Sequence, residues 1–307
     1  SQGIYVTGKR VGRATIKITH RPSAKTSSFE IRVNKLQEEF EPNGPDDYVE
    51  AKLTKRDGRF FYFPDPSIAS TQYESDIEEQ LKYILPDGTS YEKLSGFCQY
   101  VDDVVLPDGV LDLSVNHKAY IDSNDYGISN VHRPILELLR RTKYSVLYTH
   151  GQSDSILLSA LTPVANQLLL TSEDLADESI PSGYLKNCEL IVILACKAGG
   201  NTSDGEGLDN IVDSLYILGA KNVIGFTSNI TPKQAWCFFA TLTNFMNCTG
   251  ETITLWDPTL GGPVENVPLE AEDISTEKRS IYKAYQLTKQ YVPEFAGIAY
   301  IQCDEMH

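Results

Sequence analysis

Leu190-Ile191-Val192-Ile193-Leu194-Ala195 runs without a polar interruption and stops at Cys196. An apolar run of this length, rich in β-branched side chains, reads as a strand buried on both faces. It is too short to cross a bilayer, which takes about 20 such residues. A strand of this kind needs layers packed above and below it, so the chain around it must supply helices.

The neighbouring sequence does so. Tyr144-Ser145-Val146-Leu147-Tyr148-Thr149 reads as a second strand, ending at His150-Gly151. Leu168-Leu169-Leu170 is a short strand, and Thr171-Ser172-Glu173-Asp174 has the pattern of a capping box opening a short helix. After Cys196 comes a glycine-rich stretch to Gly207. A helix follows with Leu208, Ile211, Val212, Leu215 and Leu218 inward, stopped by Gly219. Val223-Ile224-Gly225-Phe226-Thr227 is a further strand. Thr231-Pro232 is a cap with proline at the first helical position. A last helix is expected over 275–290 and a last strand over 297–302. Strands alternating with helices at this spacing predict an α/β fold, a mainly parallel sheet with helices on both faces.

The amino-terminal part differs. Gly12–His20 and Ser28–Val33 alternate apolar and polar around a segment with Pro22, the pattern of a β-hairpin. Residues 37–99 read as a connecting region, with an aromatic cluster at Phe60-Phe61-Tyr62-Phe63 and a short helix over 75–85. The expected division is therefore 1–36, 37–99 and 100–307. Residues 201–206 and 249–273 lack periodicity and are expected as mobile segments.

The formal net charge is −15 across 307 residues. Clustered Lys and Arg are what nucleic acid and anionic membranes require, so neither is expected as a partner. Membrane insertion is not expected either. Six cysteines in a chain of this length are too few for a disulfide scaffold, and none forms a C-x-x-C pair. Ser1-Gln2-Gly3 lead directly into the hairpin pattern, as in a chain that starts inside a longer protein.

In parallel sheets functional groups sit just past the carboxyl ends of the strands, and His150 and Cys196 both do. A thiolate attacks where a thiol does not. A nearby imidazole supports it and later gives a proton to a leaving amine. Backbone N–H groups must face the oxyanion that forms. His150-Gly151 offers a base with a turn-permissive donor, and Cys196 a nucleophile with a second donor. Such chemistry calls for no cofactor and no metal. The loop 199–207 has no phosphate-binding pattern and carries acids where phosphate would sit. Thr227, Ser228 and Asn229 follow the next strand and are either a substrate-pairing edge or an ordinary polar loop. Asp204, Glu206 and Asp209 are read as helix-start charges. Cys188, Cys237, Cys248 and Cys303 read as structural. Asp154 or a backbone carbonyl could orient His150.

The caspase signature places its histidine roughly 50 residues before an Ala-Cys pair followed by Gly. His150 precedes Ala195-Cys196 by a similar interval, although Leu194 replaces the signature Gln and glycine arrives one residue late, at Gly199. Tyr148-Thr149-His150-Gly151, Leu168 to Leu175, Cys188 to Gly199, Gly205-Glu206-Gly207-Leu208 and Leu218 to Ile224 together resemble the CHAT family, caspase-like domains related to separase. The resemblance covers about residues 100–302. It implies a caspase-like cysteine peptidase fold, with Cys196 as nucleophile, His150 as base, and Gly151 and Cys196 as oxyanion donors. It implies a peptide or protein substrate, with activation by a partner or by self-cleavage. Relatives that cut after basic residues carry Asp two positions before the nucleophile. Leu194 stands there, so a basic preference would need an acid from elsewhere, such as Asp204. The alternative is a catalytically silent binding or scaffolding domain. The hairpin in turn is either an accessory element of the main domain or, as it resembles, the end of a bacterial immunoglobulin-like module, which implies a secreted or cell-surface bacterial protein.

Overall fold

The computed structural model describes residues 12–20, 25–33, 55–62, 71–86, 88–95, 135–136, 138–161, 166–176, 180, 182–200, 210–260 and 262–306. Residues 110–115, whose alternation suggests a strand, 131–134, where apolar spacing suggests a helix start, Cys98, and residues 201–209 with Asp204, Glu206 and Asp209 lie outside them.

The amino-terminal hairpin forms as expected, β1 (Gly12–His20) pairing antiparallel with β2 (Lys25–Val33). The central sheet has six strands in the order β13-β10-β9-β5-β3-β4. These are β3 (Arg56–Tyr62), β4 (Tyr91–Ser95), β5 (Thr142–Tyr148), β9 (Leu190–Leu194), β10 (Asn222–Phe226) and β13 (Ala299–Cys303). The pairings β10–β9, β9–β5, β5–β3 and β3–β4 are parallel, and β13 is antiparallel to β10.

Side chains alternate across a strand, and β9 shows what that does here. Leu190, Val192 and Leu194 join a cluster with Ile77 and Leu81 of α1 (Thr71–Ile84), Phe238 and Leu242 of α4 (Pro232–Asn247) and Leu287 of α5 (Ile281–Tyr291). Ile191 and Ile193 face the other way, onto Ile211, Val212 and Leu215 of α3 (Ile211–Ile217). Each of these β9 side chains is about 99–100% buried, worth roughly 1.5–3 kcal/mol apiece against exposure. The architecture is thus the expected α/β sheet with helices on both faces.

Residues 37–99, read as a connecting region, contribute β3 and β4 to this sheet and α1 to the layer packed on it. Phe60 and Tyr62 of the aromatic cluster are core. The segment 249–273, in which no periodicity was read, contains regular structure. β11 (Thr252–Asp257) and β12 (Gly262–Pro268) form a hairpin with a register shift between Ile253 and Leu255. Packing holds it where periodicity gave no signal. Trp256 meets Trp236 of α4 edge-on at 4.1 Å between ring centres, and Asn244 Nδ2 donates to Thr254 O at 2.8 Å. The last helix starts at Ile281, not Ser275, because Ser280 is its cap and accepts from Lys283 N–H.

The turn between this hairpin and α5 is closed by ionic contacts. Buried Asp273 accepts from Lys283 Nζ (2.9 Å), Gln290 Nε2 (3.0 Å) and Tyr291 OH (3.2 Å). Buried Arg279 donates to Phe245 O, Cys248 O and Asp273 O. Burial alone would push the Asp273 carboxyl up, but Lys283, Tyr291 and Gln290 hold it below its ordinary 3.8. A carboxyl lowered on folding stabilises the fold above its unfolded value, and that contribution is lost as pH falls through its folded value. Asp273→Asn should therefore lower the thermal midpoint at neutral pH, with the deficit shrinking as pH falls below 3.8. A deficit that stays constant across that acid range would contradict this role.

Candidate active site

The register of β5 against β9 pairs Tyr148 with Leu194, the last residue of each strand. His150 and Cys196 each lie two residues further on. Thr149 N–H continues the ladder one step by donating to Leu194 O at 3.3 Å. Adjacent strands run about 4.8 Å apart, so both residues leave the sheet side by side on its carboxyl rim. Both are partly exposed.

Gly151 shows how closely the two segments meet. A Cβ there would stand 2.8 Å from Cys196 O and 3.0 Å from Ala195 Cβ, so a larger residue would push the segments apart. Gly151 opens β6 (Gly151–Gln152), which pairs with β7 (Ser155–Leu161); β7 in turn pairs with β8 (Asn166–Thr171). Gly151 stands opposite Ile156, and the neighbouring bond runs from Leu157 N–H to His150 O at 2.9 Å. That places Gly151 at a non-hydrogen-bonded position, where its own N–H points away from β7. Thr149 Oγ1 donates to Leu157 O at 2.5 Å and bolts the hairpin to the end of β5. The capping box expected at Thr171 and Asp174 is present and opens α2 (Ser172–Leu175).

The turn after Cys196 is fixed residue by residue. Lys197 takes a left-handed φ of 56°, uncommon for a side chain with Cβ. Its N–H donates to Ser228 O at 2.9 Å, and its carbonyl accepts from Gly200 N–H at 2.7 Å. Ala198 O accepts from Val212 N–H in the first turn of α3 (3.2 Å), and Gly199 N–H donates to Phe226 O (2.9 Å).

Both hydrogen bonds shown by the Cys196 sulfur run to Ile230. Ile230 N–H donates to Sγ at 3.5 Å, and Ile230 O lies 3.5 Å from Sγ as an acceptor. An N–H suits a thiolate and a carbonyl suits a thiol, so this one residue can receive either form. Ile230 is held by the start of α4, where Thr231 caps the helix, Pro232 follows, and Gln234 completes a capping box.

Among the sequence-derived candidates, His150, Gly151, Cys196 and Ser228 come together at this rim. Thr227 turns elsewhere: its N–H donates to Ile298 O at 2.8 Å, and its hydroxyl lies near Gly297 O and Ile298 O. Asn229 is exposed. Asp154 accepts from Ser155 Oγ at 3.1 Å, and its carbonyl takes the Ser172 N–H. Sequence reasoning stopped one residue short of Ile230; an apolar residue directly before a Thr-Pro cap was the available signal. Among the described residues, no group of three or more His, Cys, Asp or Glu could hold a metal ion, and no helix is long and apolar enough to cross a membrane.

No family model and no curated protein matches this chain. Solved structures are similar to it, two of them as follows. One is a chain of the Saccharomyces cerevisiae separase–securin complex, at 12% identity and a TM-score of 0.41, matched over 82% of this chain and 12% of that one. The other is caspase-1 from Spodoptera frugiperda, at 13% identity and a TM-score of 0.36, over 88% of this chain and 96% of that one. The chain thus spans a small part of the separase–securin match and nearly all of the caspase.

The cysteines differ in environment. Burial pushes the Cys188 thiol up to about 12 and the Cys237 thiol up to about 11, whereas Cys196 and Cys248 are only partly buried. Iodoacetamide at about pH 8 should modify Cys196 and Cys248 in the native protein and spare Cys188, Cys237 and Cys303. Peptide mapping by mass spectrometry reads this directly. Modification of Cys188 as fast as Cys196, in protein that is still folded, would contradict the burial assigned here.

Proposed function

We propose that this chain is a caspase-like cysteine endopeptidase of the CHAT type, with Cys196 as nucleophile and His150 as general base and acid. The observation that carries this reading is the shared rim: adjacent parallel strands end level at Tyr148 and Leu194, and His150 and Cys196 each follow two residues later. The resemblance of the blocks around His150 and Cys196 to the CHAT family supports it independently.

In this mechanism Cys196 Sγ attacks the carbonyl carbon of a peptide bond as the thiolate, its proton passing to His150. The carbonyl oxygen takes the negative charge, facing the N–H groups of Gly151 and Cys196. Collapse breaks the C–N bond, and the His150 proton goes to the departing amine. A thioester remains on Cys196. His150 then takes a proton from water, the hydroxide oxygen attacks the thioester, and the acid product leaves as the thiol is restored. The substrate is a peptide or protein.

Leu194 is buried beneath the site, so a basic residue before the scissile bond would need its carboxylate from elsewhere, with Asp204 the candidate. We read the β1–β2 hairpin as the end of an immunoglobulin-like module of a secreted or surface protein. A second reading, a silent binding domain, is favoured by the engagement of the sulfur with Ile230.

The test uses a panel of peptidyl acyloxymethyl ketones that vary in their terminal residue. Wild type should be labelled at Cys196 by at least one member. Cys196→Ala should abolish that labelling and His150→Ala should slow it by about 10³-fold or more. Labelling that survives Cys196→Ala, or is indifferent to His150, would favour the binding domain.

A further inference from the structure

Beneath the turn that follows Cys196 lies a polar cluster that the proposed chemistry does not use. Asp213, in the first turn of α3, is buried. Its Oδ1 accepts from Tyr300 OH at 2.8 Å and from Gln302 Nε2 at 2.9 Å, and its Oδ2 accepts from Asn210 Nδ2 at 2.8 Å. Gln302 Nε2 also donates to Tyr300 OH at 2.6 Å. Asn210 is the cap of α3 and accepts from Asp213 N–H. A buried carboxylate is expensive unless donors surround it. This one is given three, drawn from α3 and from β13, the antiparallel edge strand.

The tyrosine at the centre of this cluster touches the catalytic turn. A Cβ on Gly199 would fall 2.7 Å from Tyr300 Cδ1, 3.0 Å from its Cβ and 3.2 Å from its Cγ, so the Gly199 main chain lies directly on the tyrosine. Gly199 is held as well by the bond from its N–H to Phe226 O. Tyr300 reaches this spot because it pairs with Gly225 across β10–β13. Gly225 has no side chain, and Val212 of α3 fills the space, 2.6 Å from where a Cβ would be. The turn is thus clamped between β10, the start of α3, and one aromatic ring anchored by its hydroxyl.

We propose that Tyr300 is a positioning residue: its ring supports Gly199, its hydroxyl is tied to Asp213, and together they hold the 196–200 turn so that Cys196 Sγ and Cys196 N–H face one reacting carbonyl. The inference rests on the peptidase reading. Sulfur attack needs only the thiolate, but stabilising the oxyanion needs the Cys196 amide in place. The two can therefore come apart when the turn is loosened. Burial and the Asp213 carboxylate push the Tyr300 phenol up to about 12, so it remains a neutral donor at the pH of any such reaction.

The experiment compares wild type with Tyr300→Phe, which keeps the ring, and Tyr300→Ala, which removes it. Two rates are measured at Cys196 well below the thermal midpoint of each protein. One is labelling by the best peptidyl acyloxymethyl ketone, which needs an aligned carbonyl. The other is alkylation by iodoacetamide, which needs only an accessible thiolate. Tyr300→Ala should slow the peptidyl reaction by about 10- to 100-fold, the scale of a misplaced reacting group, with iodoacetamide alkylation within about 2-fold of wild type. Tyr300→Phe should fall between Tyr300→Ala and wild type. Should Tyr300→Ala fail to fold, Tyr300→Phe and Asp213→Asn carry the test, each with a selective loss of the peptidyl rate.

Peptidyl labelling at the wild-type rate in these variants would overturn the positioning role while leaving the peptidase reading intact. So would a parallel fall of both rates. No His150-dependent peptidyl labelling in wild type would overturn the peptidase reading and the positioning role with it.

Discussion

The parallel pairing of β5 with β9 sets Tyr148 opposite Leu194, and everything at the candidate site follows from that register. Strands of equal reach deliver the next residues at equal height. A slip of one residue would turn every side chain of one strand to the other face. Leu190, Val192 and Leu194 would then exchange faces with Ile191 and Ile193, against cores that are already filled on both sides. The hydrophobic effect thus fixes the register, and the register sets the place of His150 beside Cys196.

Around that pair main-chain groups supply much of the geometry, beside the Tyr300 and Thr149 side chains. Ile230 meets the sulfur through its amide and carbonyl, Ser228 O takes the Lys197 N–H, and Phe226 O takes the Gly199 N–H. These three acceptor residues occupy the end of β10 and the approach to α4. Strand β10 is paired on both sides, and α4 has its own capping box. A turn assembled from such rigid neighbours can keep Lys197 in an unfavourable left-handed conformation, because the surrounding bonds determine it.

Much of this was readable from residue order, and the exceptions have physical causes. β9 and β10 announce themselves as short apolar runs, and the caps at Thr171 and Thr231 were visible because capping is local chemistry. The role of Phe60 and Tyr62 in the main sheet was not visible, because their strand pairs with residues 142–148, far along the chain. The β11–β12 hairpin was missed for a different reason. Its Gly262–Pro268 strand is mostly exposed and proline-flanked, so its order comes from contacts of β11 with α4. His150 and Cys196 could be singled out because each follows an apolar strand, His150 next to Gly151 and Cys196 shortly before Gly199. Ile230, Asp213 and Tyr300 could not, since an isoleucine, an aspartate and a tyrosine carry no chemical signature until the fold brings them beside the turn.

The most direct measurement is a crystal structure of the protein with a peptidyl aldehyde bound covalently as a hemithioacetal. Continuous density should join Cys196 Sγ to the former carbonyl carbon. The oxygen on that carbon should lie within hydrogen-bond distance of the Gly151 and Cys196 amides, with the His150 ring on the side that the amine of a peptide substrate would occupy. An adduct on a different cysteine, or one at Cys196 with its oxygen turned away from both amides and His150 beyond reach, would contradict the shared rim as the seat of the chemistry.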